Sequence, residues 1–332
     1  MQTWPRMFRF LMSLVVIGSL AAVDASAAAL PRDVGRWTEI VMPPASKKAD
    51  RDVWMSAANW AEVEWRAFSD AGHALAERKN GQGVALPVQP EFLHGLARFG
   101  RVDAYTLVKD GWLVAFDRGG FGAALYWFSS DGARNEKISG QHIGGFFAMS
   151  TGMHAIEGST QPGSRSGSVI RIEREAPGKP WRTTTIARLS NVPEAVSAKS
   201  DGTALITLSD ALVSIDATGK LRSVVTDAPW QTLFPNSSTL SADQRHLYIG
   251  MRQYVADVDL TTHRQRFLIP DRALLNKLSA QDERSIRGYM VFKVVRNGAG
   301  SARGETRIVI PHAKASQRAV TEVDAKAERD AL

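Results

Sequence analysis

Residues 240–260 read LSADQRHLYIGMRQYVADVDL, and this stretch decides the fold class. A turn at Asp243 is followed by an apolar run, a short polar connection and a second alternating run that ends at Asp259. Residues 197–220, SAKSDGTALITLSDALVSIDATGK, repeat this order. Runs rich in β-branched residues between Asp, Gly and Thr turns are typical of β-strands. The two stretches therefore predict a repeated unit of short strands.

Two pairs of aspartates give nearly the same repeat length. Asp201 and Asp243 are 42 residues apart, and Asp216 and Asp259 are 43 residues apart. A unit of this length cannot bury both faces of its small sheet alone, so it has to pack against its neighbours. Several strands in a repeat of roughly 40 to 50 residues are typical of a β-propeller blade.

Weaker copies extend the repeat toward the N-terminus. Residues 110–132 and 146–172 follow the same order of turns and apolar runs, which makes four consecutive modules in total. A fifth module is expected around 61–75, and 288–310 would form a degenerate sixth. The sequence therefore predicts an all-β propeller of about five to seven blades.

The repeat also has a family resemblance. The string from Leu240 to Gly250, closing on Val258-Asp259-Leu260, resembles the repeat of bacterial surface and periplasmic β-propellers of the YVTN and WD40-like kind. The resemblance covers residues 102 to 270 and departs from the pattern at Gln244, where a glycine is usual. It implies a propeller fold and no particular catalytic residue, because such propellers include binding scaffolds and enzymes alike.

The N-terminus is typical of a cleavable export signal. Arg6 and Arg9 precede an apolar run at 10–23, and Ala25-Ser26-Ala27 forms a small-x-small cleavage site. The run is shorter than the roughly 20 residues that cross a bilayer. We therefore expect residues 1–27 to be removed, the mature protein to be periplasmic or secreted, and no stable membrane insertion after cleavage.

The remaining chain divides into a propeller domain at 28–310 and a polar tail at 311–332. Within the domain, residues 271–287 follow Pro270 and carry leucines at helical spacing, which predicts a short helix near the C-terminus. The tail is rich in Ala, Lys, Glu and Asp without a large apolar face, so we expect it to be helical or disordered.

Composition limits the partners. The chain has no cysteine, which excludes disulfides, thiol catalysis and thiolate metal sites. Its formal net charge of +7 comes from basic residues scattered among acids, whereas a nucleic-acid-binding surface needs a basic stripe. We therefore expect no nucleic-acid partner. The expected protein is a monomer that binds another protein or an anionic envelope polymer.

Local motifs for catalysis, metals and cofactors are weak. Glu62 and Glu64 share one face of an expected strand, but Arg66 beside them favours an exposed strand face over an acid pair for glycoside hydrolysis. The seven histidines show no metal-binding spacing, and no nucleophile or dinucleotide motif stands in its proper context. The sequence predicts no catalytic residue, no metal ligand and no cofactor.

Four residues are the candidates for binding. Arg165 lies in a Gly- and Ser-rich loop at 158–167 that is longer than a hairpin needs, and long loops in compact domains are often functional. His142 and His154 stand at either end of one expected strand pair, where turn or surface positions are favoured over a ligand or base. Most tryptophans should fill the space between blades, and Trp127 is the candidate for a rim position.

These features favour a periplasmic binding protein without chemistry of its own, which recognises a protein or an envelope polymer. A narrower form is an inhibitor or protector that blocks an envelope-directed enzyme. The alternative is an exported hydrolase or lyase with its site at the central mouth of the propeller, because propellers assemble sites from residues that are far apart in sequence. The residues around the central channel distinguish these two readings.

Overall fold

The computed structural model describes residues 33–40, 64–79, 90–119, 122–159 and 166–270, some isolated positions between 42 and 55, and the backbone of 291–296 and 304–309. The expected signal at 1–27, the helix at 271–287 and the tail at 311–332 lie outside the described residues.

Antiparallel strands make up most of the regular structure. The strands are β1 (Thr38–Ile40), β2 (Trp65–Asp70), β3 (His73–Arg78), β4 (Arg101–Val108), β5 (Gly111–Asp117), β6 (Ala123–Ser129), β7 (Asn135–Ser139), β8 (Ile143–Met149), β9 (Gly152–Ser159), β10 (Ser166–Glu173), β11 (Arg182–Leu189), β12 (Pro193–Ala198), β13 (Ala204–Leu208), β14 (Leu212–Ile215), β15 (Leu221–Val225), β16 (Ser237–Leu240), β17 (His246–Gly250), β18 (Val255–Asp259), β19 (Gln265–Ile269), β20 (Val291–Arg296) and β21 (Gly304–Val309). Short 3-10 helices lie at Val34–Arg36, Glu91–Gly95, Ala97–Phe99 and Gln231–Leu233. No helix in these ranges has the length and apolar character needed to cross a bilayer.

Four consecutive four-stranded sheets form the blades. The first blade is β4–β7, the second β8–β11, the third β12–β15 and the fourth β16–β19. Within each blade, successive strands pair in antiparallel order, and β1 adds a fifth strand to the outer edge of the fourth blade through β19. The four modules predicted from the repeat are thus confirmed, each with one more strand than the three that the pattern shows.

The two weaker modules form hairpins. β2 and β3 pair over their full length and make an N-terminal hairpin at the position of the expected fifth module. β20 and β21 make a second hairpin where the degenerate sixth was expected, and among the described strands they pair with each other alone.

The first strand of each unit lies beside the first strand of the next. The contacts follow the order β4, β8, β12, β16 and β2. The hydroxyls of Ser197 and Ser238 join the third and fourth blades at 2.8 Å, and the backbone N–H of Ala67 donates to Ser237 Oγ at 2.9 Å. Burial raises the pKa of Tyr105 on β4, and the Arg66 guanidinium on β2 opposes this increase.

These contacts place the first strands of the four complete blades and of the N-terminal hairpin side by side in one series. The fold is an all-β propeller. The described part of the chain contains four complete blades and two hairpins.

The aspartates that mark the repeat form its turns. Asp201 Oδ1 accepts hydrogen bonds from the backbone N–H of Thr203 at 2.9 Å and from its hydroxyl at 2.6 Å. These bonds, together with one from Lys199, lower the pKa of Asp201 to about 2. Asp243 makes the same kind of turn with Ser241 and Arg245 in the fourth blade. The repeat is visible in the sequence because an aspartate carboxylate accepts the hydrogen bonds of each of these turns.

The core lies within and between the blades. All five residues of β13 are buried, and one apolar cluster joins residues of the third and fourth blades around Trp230 and Tyr254, both 0% exposed. On the other side of the fourth blade, Trp37 meets Trp65 edge to face at 4.7 Å between ring centroids. Apolar burial between neighbouring sheets therefore stabilises the ring.

Two glycines that begin the second strands of the first and second blades differ in how much space a Cβ atom would have. Gly111 begins β5 at φ +157°, and a Cβ there would lie 1.9 Å from the Phe128 carbonyl oxygen. Gly152 begins β9 at φ +118° with no atom within 4 Å. We expect Gly152→Ala to lose about 1–3 kcal/mol through its backbone conformation. Gly111→Ala should lose at least ~1–3 kcal/mol more through the collision.

Urea unfolding of both variants measures this difference. Equal midpoints for Gly111→Ala and Gly152→Ala would show that β5 and β6 are not paired as described.

Candidate functional site

The ring has two faces. The start face carries the residues at which the first strands begin, namely Trp65, Arg101, Ile143, Pro193 and Ser237. The turn face carries the ends of the same strands, namely Asp70, Val108, Met149, Ala198 and Leu240. Connections from one blade to the next lie on the start face, so side chains from neighbouring blades meet there.

A charged cluster lies on the start face of the first blade. Asp103 is the extra residue of a β-bulge in β4, because Val102 pairs with Phe116 and Ala104 with Ala115. Arg101 donates to Asp103 at 3.0 Å and to Asp117, at the end of β5, at 2.9 Å. One guanidinium thus bridges two carboxylates.

His142 joins this cluster from the connection between the first and second blades. Its Nε2 lies 3.3 Å from Asp103 Oδ2, and about half of its side chain is exposed. The hydrogen bond to Asp103 raises the pKa of His142 above 6.5, and burial opposes this increase. His142 is therefore at the surface, as expected from the sequence, and has an acidic partner that the sequence did not predict.

The cluster contains the groups for two kinds of chemistry. Donor atoms of Asp103, Asp117 and His142 lie within 4.8 Å of one another, which is close enough for one metal ion. An Asp–His pair can also act as a general base. Arg101 already donates to both carboxylates, so a cation at this position would have to displace its guanidinium.

His154 is a core residue, and the expectation of a turn or surface position for it is wrong. It lies on β9 at 1% exposure and stacks on Phe147. Its Nδ1 is 2.9 Å from the Gly152 carbonyl oxygen, and burial lowers its pKa below 6.5. Its ring fills the interior because β9 is the second strand of a blade, whose residues face the neighbouring sheets.

Trp127 is also a core residue. It lies on β6 at 7% exposure, within the apolar cluster between the first and second blades. Arg174 lies over its ring at 5.3 Å and over the ring of Trp181 at 4.9 Å. Trp127 therefore belongs to the majority of tryptophans that were expected to fill the space between blades, and it is not at a rim.

Of the other candidates, some lie within the described residues and some outside them. Arg165 and Glu62 lie outside the described residues, although the ends of the loop that carries Arg165 pair at the start face through Gly158 and Gly167. Glu64 is paired with Lys79 at 3.6 Å and Arg252 at 3.3 Å. Arg66, expected to balance it, pairs instead with Glu77 at 3.4 Å. The described candidates do not form a single site.

An aromatic residue that the sequence did not indicate stands on the same face. Phe234 follows the 3-10 helix Gln231–Leu233 and is 48% exposed. Its backbone is left-handed, at φ 53° and ψ 66°. The Arg252 guanidinium stacks over its ring at 4.3 Å and reaches Glu64 at 3.3 Å. We call Phe234, Arg252 and Glu64 the aromatic patch.

The turn face is different in character. A cavity of about 440 Å³ opens there between β2, β12 and β16. Its described lining has hydroxyl, amide and apolar side chains and no ionisable group. The enzyme hypothesis expects convergent carboxylates or histidines at a channel mouth. The described lining of this cavity contains neither.

Comparison with known proteins adds the following. No family model matches the chain, and no curated protein matches it. Among solved structures, the extracellular domain of BT4673 from B. thetaiotaomicron aligns at 11% identity and a TM-score of 0.42, over 72% of this chain and 35% of that one.

Two enzymes are also among the similar structures. Virginiamycin B lyase from Staphylococcus aureus aligns at 15% identity and a TM-score of 0.37, over 53% of this chain and 57% of that one. The gluconolactonase XC5397 from Xanthomonas campestris aligns at 13% identity and a TM-score of 0.38, over 52% and 58%. This chain spans less than two thirds of each structure's length, and scores this low carry no conclusion about activity or ligand.

His142 on the start face and His154 near the turn-face end of β9 should titrate in opposite directions. NMR titration should give a midpoint above 6.5 for His142 and below 6.5 for His154, with signals assigned through His142→Gln and His154→Gln. Because the folded pKa of His142 is raised, its stabilising contribution is full below 6.5 and is lost as the pH rises through the folded value.

The stability difference between wild type and His142→Gln should therefore shrink from about pH 5.5 to about pH 8.5. A difference that grows over this range would contradict the Asp103–His142 contact.

Proposed function

We propose that this chain is an exported, non-catalytic β-propeller that binds a protein partner through its start face. The aromatic patch carries the proposal. Phe234 is a large apolar side chain, 48% exposed, in a backbone conformation that non-glycine residues seldom adopt. A left-handed residue with a side chain loses about 1–2 kcal/mol. An exposed aromatic side chain held in a strained backbone conformation is typical of a residue kept for a partner.

The structure around Phe234 holds it in place for contact. Leu233, its neighbour, is fully buried, and its carbonyl accepts from the backbone N–H of Arg252 at 2.6 Å. Arg252 is in turn tied to Glu64 on the N-terminal hairpin. Aromatic residues and arginine are enriched at the centres of protein interfaces, and a preformed side chain loses little entropy on binding.

A protein partner is favoured over an anionic polymer on this face. Arg101, Arg252 and Lys79 are cations of this face, and each is held by a carboxylate. Attraction of a polyanion depends on cations that can exchange their partners for phosphate or carboxylate groups. The narrower form, an inhibitor or protector against an envelope-directed enzyme, requires the captured partner to be such an enzyme.

Replacing Phe234 separates binding from folding. Phe234→Asn removes the ring and supplies a residue that tolerates the left-handed region, so the relief of strain offsets the lost stacking on Arg252, and the stability to urea should stay within about 1 kcal/mol of wild type. Immobilised wild-type protein should retain a stoichiometric protein from an extract of the cell envelope, and Phe234→Asn should lose it.

Leu107→Asn is the matched control, because Leu107 is the other large exposed apolar residue of the described chain, at 60% exposure, and lies near the turn face. It should retain the partner. Retention of the same protein by Phe234→Asn, or its loss in Leu107→Asn, would refute binding through the aromatic patch.

A further inference from the structure

Gln244 occupies a turn position where the repeat has glycine. In the third blade, the equivalent residue is Gly202 at φ 83°. Gln244 has the left-handed φ of 56° and makes the same turn bond, from its N–H to the Ser241 carbonyl at 2.9 Å. Glycine would adopt this conformation without strain, whereas glutamine is strained in it. We therefore looked for contacts of the Gln244 side chain that a glycine at this position would lack.

One end of that side chain reaches the neighbouring blade. Gln244 Oε1 accepts from the backbone N–H of Ser200 at 3.0 Å and from the Ser200 hydroxyl at 3.1 Å. A backbone N–H can only donate, so the atom facing it is the amide oxygen and the NH₂ group is on the other side. No described residue accepts a hydrogen bond from this NH₂ group, which leaves two donors for a ligand.

The same residue lines the cavity on the turn face. The volume of about 440 Å³ is within the range of roughly 300–1,000 Å³ that is usual for small-molecule sites. Besides Gln244, the polar lining residues are Ser69, Ser197, Ser238, Thr239 and Ser241.

We propose that this cavity binds a neutral, polyhydroxylated molecule such as a hexose unit, with Gln244 as a hydrogen-bond donor. The hydroxyls of Ser197 and Ser238 are bonded to each other at 2.8 Å, and each keeps acceptor capacity for a ligand hydroxyl. A ligand rich in hydroxyls can both donate to and accept from such a lining. A charged ligand would lose its hydration without gaining a counter-charge, because the described lining has none.

The experiment measures sugar binding by calorimetry with glucose, N-acetylglucosamine and maltotetraose as neutral probes, and with glucuronate and glucosamine as charged probes. At least one neutral probe should bind, and the charged relatives of glucose should bind at least about tenfold more weakly. Binding of the monosaccharides would identify a free sugar as the ligand, and binding of maltotetraose alone would identify a unit within a polymer.

Two variants test the site itself. Gln244→Gly restores the usual turn residue and should weaken binding about fivefold to tenfold, the size of one neutral hydrogen bond, without loss of stability. Ala198→Phe places a large side chain at the exposed rim of the cavity and should abolish binding. The control is His263→Gly, which relieves a similar φ of 60° in another turn of the fourth blade and should bind like wild type.

Three results would overturn the proposal: no binding of any neutral probe by a wild-type protein that unfolds cooperatively, equal binding of the charged and neutral probes, or wild-type affinity in both Gln244→Gly and Ala198→Phe. The Phe234→Asn variant should bind sugar normally, so this site and the start-face partner are tested independently.

Discussion

The side-by-side packing of first strands around one axis is the constraint on which the structure depends. Each blade is a four-stranded sheet with apolar residues on both faces, and only a neighbour on each side can cover them. The hydroxyl contact between Ser197 and Ser238 and the backbone contact between Ala67 and Ser237 hold adjacent first strands together. The N-terminal hairpin extends this packing, because β2 lies beside β16.

This packing also creates the functional surfaces. Strand ends from different blades meet at the two faces, so residues that are distant in sequence become neighbours, as Glu64 and Arg252 do across 188 positions. The start face combines exposed apolar surface with paired charges, which suits a protein partner. A cavity lined with neutral polar groups opens on the turn face, and such a lining suits a small neutral ligand. We propose both as binding surfaces.

The repeat was predictable because its landmarks are turn aspartates whose side chains accept local hydrogen bonds, and local bonds leave a local pattern. The same reasoning failed for His154, since periodicity could not show that its ring faces a neighbouring sheet. The start-face contact of His142 was not predictable either, because Asp103 reaches it through a β-bulge in another blade. Phe234 had no sequence signal at all, as its left-handed backbone follows from the 3-10 helix before it. Gln244 did have a sequence signal, because it stands where the repeat usually has glycine.

The absence of cysteine from the chain permits a direct measurement of the central claim. Ser197→Cys and Ser238→Cys, combined in one variant, place two thiols on adjacent first strands where the serine oxygens are 2.8 Å apart. A disulfide requires its Cβ atoms within about 3.5–4.5 Å of each other. If the third and fourth blades are packed as described, mild oxidation yields an intramolecular disulfide in the folded monomer and no titratable thiol. Two freely reactive thiols, or a disulfide found only between molecules, would contradict the ring.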